Sequence, residues 1–209
     1  MKYDIPELNL FMKCSKLREE AFGKLPERYT FRLCRRDELE TWKVLALEEP
    51  QYVDYLTEYF ETVYAAKADE FFERCLFVCD PKGKPVGTCF LWKAYGKIET
   101  IHWLHVLPEY EGLGLGRALL TEVLRRAKVE DFPIYLHTHP HCLRAVHLYN
   151  EFGFQLVTDP VVGYRTNDWQ EAMKYLRRYM PKPYVDQLQL VRADAEFLQA
   201  ARSSEQSEF

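Results

Sequence analysis

At 209 residues, 47% of them hydrophobic and 15% aromatic, the chain can bury one sizeable core rather than two. Its 28 basic residues against 32 acidic ones, a net charge of -4, leave no electrostatic footprint for nucleic acid or an anionic membrane. No apolar run could span a bilayer, Asp4 and Glu7 interrupt a secretory reading of the N-terminus, and six scattered cysteines without a C-x-x-C pair read as reduced thiols. A cytoplasmic protein is expected.

Residues 1–28 read as an N-terminal extension, in which LREEAFGKLPER forms a short helix and a turn at Gly23 and Pro26. Tyr29 to Leu33 is a predicted strand, and Asp37 opens a helix in which Leu39, Trp42, Leu45 and Ala46 share a face until Pro50 breaks it. The next helix is predicted from Tyr52 to Phe72. Its stripe of Tyr52, Tyr55, Leu56, Tyr59, Phe60, Val63 and Tyr64 either packs on a sheet or turns some hydroxyls toward a substrate cleft. Leu76 to Cys79 and Pro85 to Ala94 form a hairpin through the turn Asp80-Pro81-Lys82-Gly83-Lys84.

Ile98 to Val106 is a strand rich in β-branched and aromatic residues, stopped by Pro108. Gly112, Gly114 and Gly116 follow, letting the backbone turn tightly and aim consecutive N–H groups into one concavity. From Arg117 a helix begins, with Leu119, Leu120, Val123, Leu124 and Ala127 on one face and its positive dipole end at the loop. That order of strand, glycine loop and helix describes a phosphate site.

Pro133 to Thr138 is the next strand, so strand, helix and strand imply a parallel pair with a right-handed crossover. Cys142 to Phe152 is a helix with Ala145, Leu148, Tyr149 and Phe152 on one face, ended by Gly153, and Phe154 to Val157 returns as a strand. Helices are predicted from Trp169 to Tyr179 and from Tyr184 to Ala201, beyond which SSEQSEF is polar and expected to be disordered. The boundaries read as an extension over 1–28, a catalytic domain over 29–165 and a C-terminal helical extension with its tail over 166–209.

Two stretches resemble the GCN5-related N-acetyltransferases (GNAT). The first, Val106-Leu107-Pro108-Glu109-Tyr110-Glu111-Gly112-Leu113-Gly114-Leu115-Gly116-Arg117, is similar to the family's V-x-P followed by Q/R-x-x-G-x-G/A at the helix that carries the coenzyme A pyrophosphate. The second, Ala145-Val146-His147-Leu148-Tyr149-Asn150-Glu151-Phe152-Gly153-Phe154, is similar to the family's A-x-x-L-Y-x-x-x-G-F. The resemblance covers roughly Tyr29 to Val157. It implies an α/β fold with a central mixed, mostly antiparallel twisted sheet, a splayed parallel strand pair and flanking helices, and an acetyl-coenzyme A-dependent N-acyltransferase that acetylates a primary amine by direct attack in a ternary complex.

By the same resemblance, loop amides of Gly112, Leu113, Gly114, Leu115, Gly116 and Arg117 hold the pyrophosphate, and backbone near Leu104, His105 and Val106 pairs with the pantetheine arm like an added strand. Arg117 adds a positive charge. Two positions depart from the pattern. Glu111 stands where the family has Gln or Arg, and is expected to turn to solvent because a carboxylate near a phosphate is repelled. Cys142 stands where many relatives place an asparagine that contacts the cofactor. Tyr149 is the expected general acid at the coenzyme sulfur.

Strand parity selects the base. If Leu104 and Val106 flank the pantetheine path, Thr100 and His102 share their face, while Ile101, Trp103 and His105 take the other. His102, with an ordinary imidazole pKa of about 6.5, is therefore preferred, and Glu99 and His105 are the runners-up that a bulge would promote.

A dinucleotide fingerprint fails, since the third glycine of G-x-G-x-x-G would fall on Leu119 or Arg117, and no Gly-Lys-Ser/Thr follows for a P-loop. His137, His139 and His141 suggest a metal only weakly, because no carboxylate supports them and acetyl transfer needs none. A small-molecule or peptide amine is the expected acceptor, with a homodimer as one option. The rival reading is a catalytically inactive acyl-coenzyme A-binding or sensing module of the same fold.

Overall fold

The computed structural model describes residues 4–47, 50–204 and 207–209. In chain order the elements are β1 (Leu10–Cys14), β2 (Thr30–Leu33), α1 (Leu39–Leu47), α2 (Val53–Tyr59), α3 (Ala68–Arg74), β3 (Leu76–Cys79), β4 (Pro85–Ala94), β5 (Ile98–Val106), α4 (Leu115–Leu124), β6 (Ile134–Thr138), α5 (Leu143–Glu151), β7 (Gln155–Val157), β8 (Val161–Val162), β9 (Arg165–Thr166), α6 (Trp169–Tyr179), α7 (Lys182–Val185), β10 (Leu190–Val191) and α8 (Ala195–Ser203). The architecture is mixed α/β, with a mixed sheet and flanking helices. The chain divides into two compact units: the first holds residues 1–21, 93–100 and 129–209, the second residues 22–92 and 101–128.

In the first unit the strands run in the order β10-β7-β1-β6. β1 is antiparallel to both β6 and β7, whereas β10 is parallel to β7. The opening residues of β5 join this unit, with Thr100 opposite Tyr135 of β6 in parallel register, the pair implied by the strand, helix and strand order. Residues 1–28 are therefore no appendage along their length. Every residue of Leu10–Cys14 is buried, and Leu10, Phe11 and Met12 are exposed by no more than 1% each. Full burial of such a side chain is worth about 1.5–3 kcal/mol, so these three approach the whole net stability of a typical domain, about 5–15 kcal/mol. Four apolar residues and a lysine, without a flanking turn signal, do not reveal a strand in sequence.

Gly153 ends α5 with φ +103°, and a Cβ placed there would lie 2.6 Å from the Lys16 carbonyl oxygen, so only glycine fits. The C-terminal region departs from a single long helix. After α6 it makes the short α7, then β10 on the edge beside β7, then α8, whose Phe197 stacks on Tyr135 with ring centroids 3.8 Å apart. The tail expected to be disordered is packed at 207–209, where Phe209 is 9% exposed and its ring lies against Phe11 and Phe197. Glu205 and Gln206 lie outside the described residues, as does the start of the chain at 1–3.

In the second unit β2, β3 and β4 form an antiparallel set, followed in the ladder by β5. The Asp80–Lys84 turn forms as expected: Gly83 has φ +82°, and Asp80 Oδ1 accepts from the N–H groups of Lys82 and Lys84. The predicted helix over 52–72 is interrupted. After α2 the backbone takes a π-helical turn at Phe60–Tyr64 and a 3-10 turn at Ala65–Lys67 before α3. Leu56 and Tyr59 are buried ahead of the π turn and Phe60 and Tyr64 within it, while Tyr52 and Tyr55 stay 41% and 45% exposed. Tyr64, Phe71, Phe90 and Trp42 then form an aromatic core with ring centroids 5–6 Å apart.

Candidate active site

The second unit holds the glycine loop and the end of β5. Leu107 is followed by a 3-10 turn at Pro108–Tyr110, and Gly112 and Gly114 both take left-handed φ, +78° and +82°. No heavy atom lies within 4 Å of where a Cβ would stand on either glycine, so the space above the loop is open. α4 starts at Leu115 without a side-chain cap, and its first N–H groups are the orphan donors that an oxyanion satisfies. The residues therefore fit a pyrophosphate. Glu111 is exposed, as its charge requires. Arg117 lays the aliphatic part of its side chain on Gly23, where a Cβ would meet its Cγ and Cδ at 2.9 Å, and the Gly23 N–H donates to Thr121 Oγ1 at 3.0 Å. The turn at Gly23 is thus seated on α4. Gly116 is open apart from Val106, and Leu104, His105 and Val106 are all half-buried.

Within β5, Glu99, Thr100, Ile101 and His102 are buried in succession, so both faces of the strand are covered there. Trp103 then takes φ +52°, a left-handed conformation rare for a bulky residue. The parity argument that placed His102 with Leu104 and Val106 does not pass through this residue, because the alternation of faces is interrupted at it. The indole of Trp103 is fixed: Nε1 donates to the Tyr64 hydroxyl at 2.9 Å, and the ring meets Tyr59 edge-on at 5.3 Å.

Tyr64 Oη lies 2.5 Å from Nδ1 of His102. The hydroxyl accepts from Trp103 and shares a hydrogen bond with Nδ1 of His102, whose direction follows the imidazole tautomer. Burial pushes His102 from the ordinary 6.5 down to about 3. The expectation of an imidazole poised near neutral pH is therefore corrected. A desolvated ring 3% exposed cannot carry charge easily, and strand parity says nothing of desolvation. Tyr64 was legible only as one member of an apolar stripe; the partners of its hydroxyl lie 38 and 39 residues away in sequence.

The first unit holds Glu99, Cys142 and Tyr149. Glu99 is 3% exposed, with Lys93 Nζ at 3.6 Å from its carboxylate. Cys142 precedes α5 at the N-cap position without capping it by its side chain, and burial pushes its thiol pKa up despite bonds from Thr138 and His139. Tyr149 is 6% exposed on the inner face of α5, its ring 5.9 Å from that of Phe154. The three histidines engage protein groups. His137 faces Arg165 through Nδ1 at 3.1 Å and Asn9 through Nε2 at 2.9 Å, His139 Nδ1 donates to the Leu8 carbonyl, and the His139 and His141 rings stack. Among the described residues no group of three or more His, Cys, Asp or Glu side chains is disposed to hold a metal ion, and no helix is long and apolar enough to cross a membrane.

A profile of the acetyltransferase (GNAT) family matches residues 37–154. Over 163 residues the chain is 27% identical to an uncharacterized N-acetyltransferase of Methanocaldococcus jannaschii, covering 71% of this chain and 70% of the relative. A GNAT-family acetyltransferase from Colwellia psychrerythraea superposes with a TM-score of 0.52 at 16% identity, covering 74% of this chain and 55% of that one. A GCN5-related N-acetyltransferase from Sphaerobacter thermophilus gives a TM-score of 0.48 at 22% identity, covering 65% of this chain and 44% of that one. The chain spans about half the length of these two solved structures.

Proposed function

Because this chain belongs to the acetyltransferase (GNAT) family, we propose that it transfers an acetyl group from acetyl-coenzyme A to a primary amine of a small-molecule or peptide acceptor. The observation that carries this reading is the loop Gly112 to Gly116, with two left-handed glycines, open space above them and an uncapped helix start behind them. In this reading the backbone amides of Leu113 to Arg117 bind the pyrophosphate. Acetyl-coenzyme A supplies the activated acyl carbon, and the chain orients the acceptor nitrogen toward it.

Direct attack by the amine suits the thiols present. Cys14, Cys34, Cys75, Cys79 and Cys89 are buried, and burial raises the pKa of Cys142, so no activated thiolate offers itself as an acyl carrier. The acceptor arrives protonated, near pKa 10.4 for a lysine-like amine. His102 at about 3 is poorly matched to take that proton. Glu99 becomes the candidate base, with water as the carrier between it and the amine, and Tyr149 is the candidate acid for the departing thiolate.

The test is binding followed by turnover. Gly114→Val forces a side chain into the left-handed position, and should abolish acetyl-coenzyme A binding by calorimetry while the melting temperature stays near that of the wild type. Amines, polyamines, amino acids, aminoglycosides and peptides are then assayed for coenzyme A release. Binding without turnover on any acceptor would favour the inactive acyl-coenzyme A module, a reading that the buried, neutral His102 keeps in play.

A further inference from the structure

We infer that a cleft on the C-terminal part of the first unit binds a small amphipathic carboxylate. The cleft has a volume of about 420 Å³, within the usual range for small-molecule sites. Its floor is one face of α6, with Trp169, Met173 and Arg177 at i, i+4 and i+8, and its opposite side is Val185, Leu188 and Leu190. Leu190 on the edge strand β10 is 51% exposed, so the lining presents apolar surface to solvent.

The charge pattern selects the ligand. Around it on α6, Lys174 pairs with Glu171, and the Arg178 guanidinium lies 5.2 Å over the Tyr179 ring. Arg177 alone of these cations has no hydrogen bond, ion pair or ring contact among the described residues, and it lines the cleft. Asp186 also lines it, but its carboxylate accepts from Lys182 Nζ at 2.6 Å and so does not oppose Arg177 as a bare charge. An apolar trough of Trp, Met, Val and Leu with a free guanidinium matches an alkyl or aryl body carrying a planar oxyanion, which the guanidinium fork grips through two N–H groups. A last-turn arginine also complements the helix dipole, a role that any cation fills. The ligand role needs the fork as well.

The experiment is a titration of the full chain with octanoate, octylammonium and octanol, read by the shift of the Trp169 indole N–H resonance, assigned with Trp169→Phe. Octanoate should saturate at one site. Arg177→Gln should weaken it at least about tenfold, and Arg177→Lys should recover only part of that loss. Leu190→Glu should abolish binding with an unchanged melting temperature, and coenzyme A release should be unaffected in all three variants. Equal affinity for octanol or octylammonium, octanoate affinity unchanged in Arg177→Gln, or no saturable shift would each overturn the proposal.

Discussion

The hydroxyl of Tyr64 holds Nδ1 of His102 at 2.5 Å while receiving the indole N–H of Trp103 at 2.9 Å. One oxygen therefore partners a buried imidazole and a half-buried indole, linking a π-helical turn to a left-handed strand residue. Tyr64→Phe keeps the ring and leaves both groups without that partner. It should lower stability by about 1–3 kcal/mol, seen as a reduced urea midpoint with an unchanged m-value.

His102 also ties stability to pH. Its folded pKa, about 3, lies below the unfolded value near 6.5. Above pH 6.5 the ring is neutral in both states and costs nothing. As pH falls from 6.5 toward 3, the unfolded chain takes up a proton that the folded chain refuses, so stability drops by up to about 1.4 kcal/mol per pH unit. Urea midpoints measured across this window should fall less steeply in His102→Gln than in the wild type; identical slopes would show that the ring is not desolvated.

Gly153 and Gly96 separate backbone strain from collision. Both have positive φ, +103° and +68°, but a Cβ at Gly153 meets the Lys16 carbonyl at 2.6 Å whereas one at Gly96 meets nothing within 4 Å. Gly96→Ala should cost about 1–2 kcal/mol. Gly153→Ala should cost about 3 kcal/mol, a melting temperature lower by roughly 6–12 °C for a chain of this size. Equal losses would mean that the Lys16 carbonyl moves aside freely.

Lys13 is a buried cation in β1, and its ammonium reaches Asp194 Oδ1 at 2.8 Å. Asp194 Oδ2 accepts from the Tyr135 hydroxyl, also at 2.8 Å. Burial pulls the Asp194 pKa up, but the bonds from Lys13 and Tyr135 outweigh it and leave the carboxyl below its ordinary value. Asp194→Asn removes the counter-charge of the ammonium, which keeps the Arg192 carbonyl as an acceptor, and should cost about 2–3 kcal/mol, less than a fully buried pair because Asp194 is half-exposed. The pair's contribution is present above the unfolded carboxyl pKa, near 3.9, and is lost as pH falls through the lower folded value. Lys13→Met with Asp194→Leu should restore much of the loss, and failure of the double variant to do so would assign the cost to Tyr135 instead.

Tyr149→Phe preserves the buried ring and its contact with Phe154. If the hydroxyl protonates the leaving thiolate, kcat on a genuine acceptor should fall by about tenfold to a thousandfold while acetyl-coenzyme A affinity barely changes. A thiol with a pKa near 8.5 already leaves fairly well at neutral pH, which limits the effect. Turnover equal to wild type would make the hydroxyl structural.

Local order along the chain was enough to determine the strand Ile98–Val106, the Asp80–Lys84 turn, the glycine loop into α4 and the helix α6, because each rests on neighbours in sequence: β-branched runs, obligatory turn residues or an apolar stripe at helical spacing. The family signature was legible for the same reason, its glycines and A-x-x-L-Y lying within single supersecondary units. What only the tertiary structure decided involves partners far apart. β1 becomes a strand because β6 and β7 pair with it 120 or more residues later, and its five residues carry no local signal of that. The long helix breaks at Phe60–Tyr64, where the π turn aims Tyr64 at β5. His102 lost its neutral-pH titration to burial, which depends on everything packed around the ring rather than on its place along the strand.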